Sequence, residues 1–443
     1  MKTAFPSRSI LAGQCLALIA GLAAAGPVAA AQPGHYLITD YGAIADGATL
    51  NTSAIQKAID AAAAAGGGVA EVPGGRFLSG SIFLKKGVEL HLDDGAVLLG
   101  SQNIEDYPKE QTRIEGHFQA WRMALVNAQG MDHVRIGGSG QLNGNGAPFW
   151  ALFRARIRAD RTTTNLDVER PRLVFIDRCS DVRVEGITLQ DSGFWNLHLY
   201  HCRDVAITGV RINAPDRTQT NPIGSPSTDG IDVDSCQNVT IRDCNISDGD
   251  DDIALKGSKG PLADKDTDSP PDENILIEDC EFGSGSGVLT CGSEATIVRN
   301  VTVRNCKLTG RGSVLMLKLR QDTPQHYTNI TIDGITATDA GRLLNVAPWT
   351  QYFDLKGQPP PMRVVDRIVI RNVTGKFGQI GSLRGTAGDS IGEISLENID
   401  ATVANPTFNL GPVKNMTLKN VVVNGKPYEL PPAQEPIPLP AAR

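Results

Sequence analysis

The sequence predicts an all-β fold, a single-stranded right-handed parallel β-helix with an N-terminal capping helix, from three observations. A six-residue pattern recurs nine times between residues 182 and 426. Alternate positions in it are apolar, the mark of a strand with one buried face. Its fifth position holds only Gly, Asp or Asn, and successive copies lie 22 to 38 residues apart. Fixed turns with loops of variable length between them describe a solenoid. A leucine-rich horseshoe is the competing solenoid, but the Leu-x-x-Leu-x-Leu spacing it needs is absent.

In chain order, Lys2 and Arg8 form a basic stretch before a mostly apolar run over residues 10–22, and Ala29-Ala30-Ala31 offers a small-residue cleavage site before Gln32. Residues 1–31 therefore predict a secretory signal, and a secreted or periplasmic protein. The apolar run is short for a membrane anchor, and no later segment has the length to span a bilayer. The solenoid is expected over residues 32–428. Near its start, Asn51-Thr52-Ser53 offers N-cap candidates for an alanine-rich stretch with an Ile55/Ile59 face and a Gly66-Gly67-Gly68 stop. That predicts a helix over the open end of the coil.

The nine copies occupy residues 182–187, 205–210, 239–244, 275–280, 301–306, 330–335, 368–373, 394–399 and 416–421. Gly, Asp and Asn tolerate a left-handed backbone, so a tight corner is expected at the fifth position of each. The sixth position is apolar or Cys, which puts Cys244, Cys280 and Cys306 in an interior stack. This reading competes with disulfide formation, which an exported chain with seven cysteines after residue 31 also suggests. Segments 105–120, 151–170, 213–227 and 259–272 read as insertions that wall a groove. The second carries Arg154, Arg156, Arg158 and Arg161, either a solvated face or a grip on an anionic sugar. Residues 429–443 are proline-rich and are expected to form a flexible tail.

Charged residues make up 21% of the chain, aromatics 5%, and the net charge is −7. That balance argues against nucleic-acid binding, which needs a basic face. It leaves room for an acidic polysaccharide held by local cations. No His/Cys cluster has metal-ligand spacing, and no metal or cofactor is expected.

Aspartates crowd two motifs, Ser227-Thr228-Asp229-Gly230-Ile231-Asp232 and Gly249-Asp250-Asp251-Asp252. Asp229 lies 21 residues before Asp250 and 22 before Asp251, close to one turn of the repeat. Neighbouring strands are about 4.8 Å apart, so the two motifs are expected side by side on adjacent rungs. Like charges held that close shift one another's proton affinity and separate an acid from a base. The plainer reading, carboxylates that stabilise turns, accounts poorly for four aspartates on two neighbouring rungs.

On these residues the chain resembles the polygalacturonases, pectin-degrading glycoside hydrolases of family 28, whose members fold as right-handed parallel β-helices. Asp40-Tyr41-Gly42-Ala43, Val72-Pro73-Gly74-Gly75 and the stretch 83–99 look like the family's first coils. Ser227-Thr228-Asp229 and Gly249-Asp250-Asp251 are similar to its Asn-Thr-Asp and Asp-Asp motifs. The resemblance implies that Asp250 protonates the glycosidic oxygen while Asp229 and Asp251 activate water for inversion. An inverting pair needs roughly 6.5–9.5 Å between carboxyls, which neighbouring rungs can span.

Two positions depart from the family pattern. Its Gly-His-Gly appears as Gly285-Ser286-Gly287, and its Arg-Ile-Lys as Met316-Leu317-Lys318. Losing a bidentate arginine weakens a carboxylate contact, so a rhamnogalacturonan-type substrate competes with plain polygalacturonate. Ser286, Lys318, Arg320, Trp195 and His198 are the candidate sugar contacts. Trp195 also reads as a packed ring, His198 as a satisfied structural histidine, and Lys256 as a groove residue or a solvated lysine. Asp232 and Asp252 are expected to point away from the acid/base set or to support it. The expected activity is that of a monomeric exported hydrolase whose partner is a pectic or related acidic glycan, not a membrane. The alternatives are a polysaccharide lyase on the same fold, which Ca²⁺ held by the aspartates would serve, and an inactive carbohydrate-binding solenoid.

Overall fold

The computed structural model describes residues 1, 2, 4, 34–214, 224–350 and 353–438. Most of the signal segment, the middle of the 213–227 insertion and residues 439–443 lie outside them. The described chain is a right-handed parallel β-helix. A coil contributes three short strands, such as Val174–Asp177, Ser180–Glu185 and Thr188–Gln190. Each pairs in parallel with its equivalent in the next coil.

All nine fifth-column residues adopt the left-handed conformation the sequence predicts, with φ between 51° and 79°. A second left-handed column lies just before the repeat, at Asp181, Asp204, Asn238, Asn274, Asn300, Asn329 and Arg367. Here the asparagine amides form a ladder from coil to coil: Asn274 Nδ2 donates to Asn238 Oδ1 (3.1 Å), and Asn329 Nδ2 to Asn300 Oδ1 (2.7 Å). Asn238, the first residue of an Asn-Val-Thr sequon, thus has a turn-building role.

Inside, one continuous apolar core runs along the solenoid. Cys244, Cys280 and Cys306 stack in it, and all seven described cysteines are buried free thiols. They act as small apolar wedges. A native chain beginning at Gln32 is therefore expected to give no reaction with an aromatic disulfide reagent, and seven thiols once unfolded. Helix α1 (Thr52–Ala64) caps the first coils, with Ile55, Ala58, Ile59 and Ala62 completely buried. At the other end the described part of the expected flexible tail, residues 429–438, is instead docked. Gln434 N–H donates to Leu410 O (2.8 Å), Ile437 N–H to Gly385 O (2.9 Å), and Arg384 holds both Glu435 O and the Gln434 side chain. Prolines have no N–H to offer a sheet, but the residues between them do.

Two insertions are ordered elements. Segment 105–120 forms most of a hairpin of strands β1 (Lys109–Ile114) and β2 (His117–Arg122). The 151–170 insertion continues helix α2 (Ala147–Ala159). One face of the solenoid carries the acidic motifs. Its strands are β3 (Val126–Gln129), β4 (Val174–Asp177), β5 (Leu197–Tyr200), β6 (Ile231–Asp234), β7 (Ile253–Lys256), β8 (Gly287–Cys291) and β9 (Ser313–Arg320). Leu197, Ile231 and Ile253 are in register on β5, β6 and β7 and face the core. His198, Asp232 and Ala254 point outward beside them, as alternation in a strand requires.

Candidate active site

The 22-residue spacing sets the geometry. Because Ile231 pairs with Ile253, the turn residues before β6 and β7 stack as well, and Asp229 sits over Asp251. Gly230 N–H donates to Asp251 O (2.9 Å), and Gly249 N–H to Thr228 Oγ1 (3.0 Å), locking the two turns together. A cleft of ≈ 430 Å³ opens at this point. Asp229, Asp250, Asp251, Lys256, Lys318 and Trp195 line it, with Trp349, Arg154, Asn165, Glu115 and Glu294 around them.

Each carboxylate has its own environment. Asp229 Oδ2 lies 3.0 Å from Lys256 Nζ. Burial raises its pKa, Lys256 lowers it and Asp251 raises it again, with a net upward shift. Asp251 accepts from Lys318 Nζ (2.6 Å) and Thr290 Oγ1 (3.1 Å). Among the described residues no lysine forms an ion pair with Asp250, although Lys318 and Lys256 act on it from further away. Its carboxyl is reachable from the cleft, yet the enclosing protein, then Asp229 and Asp251, push it up to about 8. Asp250 is thereby set to carry a proton at neutral pH, between two neighbours that hold ammonium groups.

The lysines answer the opposite way. Burial works against the Lys256 ammonium, but Asp229, Asp232 and Glu294 outweigh it and hold its pKa well above the lysine norm. Lys318 is raised for the same reason by Asp251 and Asp250. Lys256 also lies 4.5 Å from the Trp195 ring centroid and Lys318 4.8 Å from that of Trp349, each a cation–π contact.

Of the candidate sugar contacts, Lys318 and Trp195 line the cleft. His198 does not. It is completely buried, takes a hydrogen bond at Nδ1 from Arg172 (2.8 Å) and packs edge-on to Trp195, and burial lowers its pKa to about 3. Arg320 is buried too, its Nε 2.7 Å from Asp322 Oδ1, and is not among the lining residues. Ser286 touches the set through its backbone: its N–H donates to Asp250 O (2.5 Å), while the residue faces a neighbouring cavity with Met316. Asp232 and Asp252 are fully buried behind the cleft. A Cβ at Gly285 would sit 2.4 Å from the Asp252 carboxylate oxygens, so this glycine permits a close approach of backbone to carboxylate. Of the arginine run, Arg154 lines the cleft and Arg156, Arg158 and Arg161 are exposed.

Glu115, Asn165, Glu294 and Trp349 were not singled out by the sequence. Glu115 and Asn165 come from the two insertions, and no local pattern announces their arrival at the cleft. Glu294 follows the Gly-Ser-Gly motif closely enough to have been a candidate. Lys256, Lys259 and Arg320 outweigh the effect of its burial and hold its pKa down at about 2.

The family model for glycosyl hydrolases family 28 matches residues 71–424. The chain belongs to this family. It is similar to a probable polygalacturonase of Vitis vinifera, 32% identical over 49% of this chain and 43% of that one. A probable polygalacturonase of Arabidopsis thaliana is 28% identical over 68% of this chain and 58% of its own length, so this chain spans about half the length of these plant relatives. The endo-polygalacturonase of Pectobacterium carotovorum subsp. carotovorum is 27% identical over 77% of this chain and 81% of its own. Among solved structures, a hyperthermoactive exopolygalacturonase from Thermotoga maritima superposes with a TM-score of 0.78 at 25% identity, over 89% of this chain and 94% of that one.

Proposed function

We propose that this family 28 protein is an exported, inverting glycoside hydrolase that cleaves a pectic or related acidic polysaccharide. The observation that carries the reading is the stack of Asp229 on Asp251 with Asp250 beside them in one cleft. Asp250, protonated at neutral pH, gives its proton to the glycosidic oxygen as the bond to the anomeric carbon breaks. Asp229 and Asp251 hold a water and take its proton as its oxygen attacks the opposite face of the sugar, in one displacement. Lys256 pairs with Asp229 and Lys318 with Asp251, and the two ammonium groups supply positive charge for a uronate. Export rests on residues 1–31. Among the described residues no helix is long and apolar enough to cross a membrane.

The relatives' names point to polygalacturonate, while the residues here favour a modified chain. Met316 offers a thioether at a position where the family pattern has an arginine, and it faces the second cavity. A rhamnose-containing pectic polymer is expected to be turned over faster than plain polygalacturonate. The check is a screen of pectic polymers by reducing-sugar release, with the anomer of the first product read by NMR. Inversion is expected. Retention, an unsaturated product, or zero release from every polymer would sink the reading.

A further inference from the structure

Relatives that cut within a chain and relatives that cut at its end are both similar to this protein, so likeness does not decide where along a glycan it acts. We propose that the groove is closed on the Trp195 side and receives a chain end, so that short saccharides leave one at a time. The inference rests on the hydrolase reading above.

A through-groove would have to cross every strand from β3 to β9, and the β1–β2 hairpin bars the way. Its base lies at the edge of the sheet where the strands begin. There the Trp121 ring meets Phe194, centroids 6.2 Å apart, and its Nε1 donates to Arg170 O (3.2 Å). Further along, the Phe118 ring meets Tyr200, at the far end of β5, at 5.5 Å. At the tip, Arg113 binds Asp234 (3.0 Å), the last residue of β6, and Ser258 (3.2 Å), beyond β7. Gly116 comes so near Gly257 O that a Cβ would lie 3.0 Å away. The hairpin thus runs from one edge of the sheet to the other. Beneath it the outward side chains Phe175, His198 and Tyr200 are 0% exposed, and no strip of sheet is left for a saccharide.

Beyond the acidic motifs the opposite holds. The surface continues into a cavity of ≈ 680 Å³ lined by Ser286, Met316, Arg311 and Arg342, among others, where a polyanion has room and positive charge. The closed side is shallow. Asn196 N–H donates to Asp229 O (2.9 Å), so Trp195 belongs to the rung adjoining Asp229, about 4.8 Å away. That depth suits one sugar ring. Glu115 and Asn165, which also line the cleft, suit the free hydroxyls of a terminal sugar. A further residue of the chain would have to pass through them.

The test uses two probes, a galacturonate hexamer and a rhamnogalacturonan hexamer. Each is used free, blocked at the reducing end with aminobenzamide, or blocked at the other end with a bulky ether. Binding is measured calorimetrically to Asp250→Asn protein, and the wild type is followed by early product size on the polymer. A tenfold or greater loss of affinity from one block only, with one short product from the first turnover, is expected. Equal binding of both blocked forms, or an early ladder of mixed lengths, overturns the closed end while the hydrolase reading stands. Failure of both free hexamers to bind overturns the pectic reading and this inference with it.

Discussion

Asp250→Asn is expected to lower kcat by about 10²- to 10⁴-fold, the span that a positioned acid contributes, while KM changes little. The reason is the proton that this carboxyl, pushed up to about 8, is set to hold at neutral pH. In the wild type, activity should fall as the pH rises through about 8, where Asp250 ionises. It should also fall on the acid side as Asp229, whose pKa is raised mainly by burial, takes up a proton and ceases to serve as a base. The same substitution should stabilise the fold. Asp250 binds its proton more tightly folded than unfolded, so the stability tied to that proton is complete below the ordinary value of 3.8 and is lost as the pH rises towards about 8. An asparagine has nothing to lose over that window. At pH 8 the variant should melt above the wild type by about 2–4 °C, and at pH 4 the two should coincide. A variant that is inactive and less stable at pH 8 would mean that Asp250 is a structural carboxylate.

How much of this was readable in the sequence depends on how far apart the interacting residues lie in register, not in number. The solenoid was readable because each coil repeats its own local chemistry: alternate apolar residues for the strand, then Gly, Asp or Asn for the corner. All nine corners took the left-handed conformation accordingly. The 22-residue interval between Asp229 and Asp251 was readable for the same reason, since a repeat converts distance along the chain into adjacency in space. Outward residues of the strands were harder. His198 and Arg320 alternate onto the outer face as expected, yet insertions and ion pairs cover them, and a covering loop leaves no trace in the strand beneath it. The docked tail was misread because proline content signals the absence of a regular strand and says nothing about the residues between.

The hairpin shows the same limit, and it supports the second large effect. Arg113→Met is expected to cost about 3–5 kcal/mol at neutral pH, the penalty for stranding one partner of a buried pair. Arg113 is 1% exposed; its Nε lies 3.0 Å from Asp234 Oδ2 and its Nη2 3.3 Å from Oδ1. Its guanidinium also covers the Tyr200 ring at 4.9 Å. Methionine keeps the stem and the apolar contact and removes the charge. Asp234 is then left buried without a guanidinium, with His198 Nε2 at 3.4 Å from Oδ2 and the Ser235 hydroxyl donating to Oδ1 at 2.9 Å. In the wild type, burial would raise the Asp234 pKa, but Arg113 and His198 hold it far below the usual carboxylate range. A depressed pKa stabilises the fold above the ordinary 3.8 and ceases to do so only as the pH falls towards the folded value. The deficit of the variant should therefore be largest near pH 7 and should shrink under acid, where the stranded carboxyl takes a proton. Adding Asp234→Asn to Arg113→Met should recover part of the loss at pH 7, because a buried amide costs less than a buried unpaired charge. Denaturant midpoints of the three proteins at pH 7 and pH 4 give the comparison. Equal midpoints for wild type and Arg113→Met at pH 7 would show that the hairpin rests on the sheet through its apolar side chains alone.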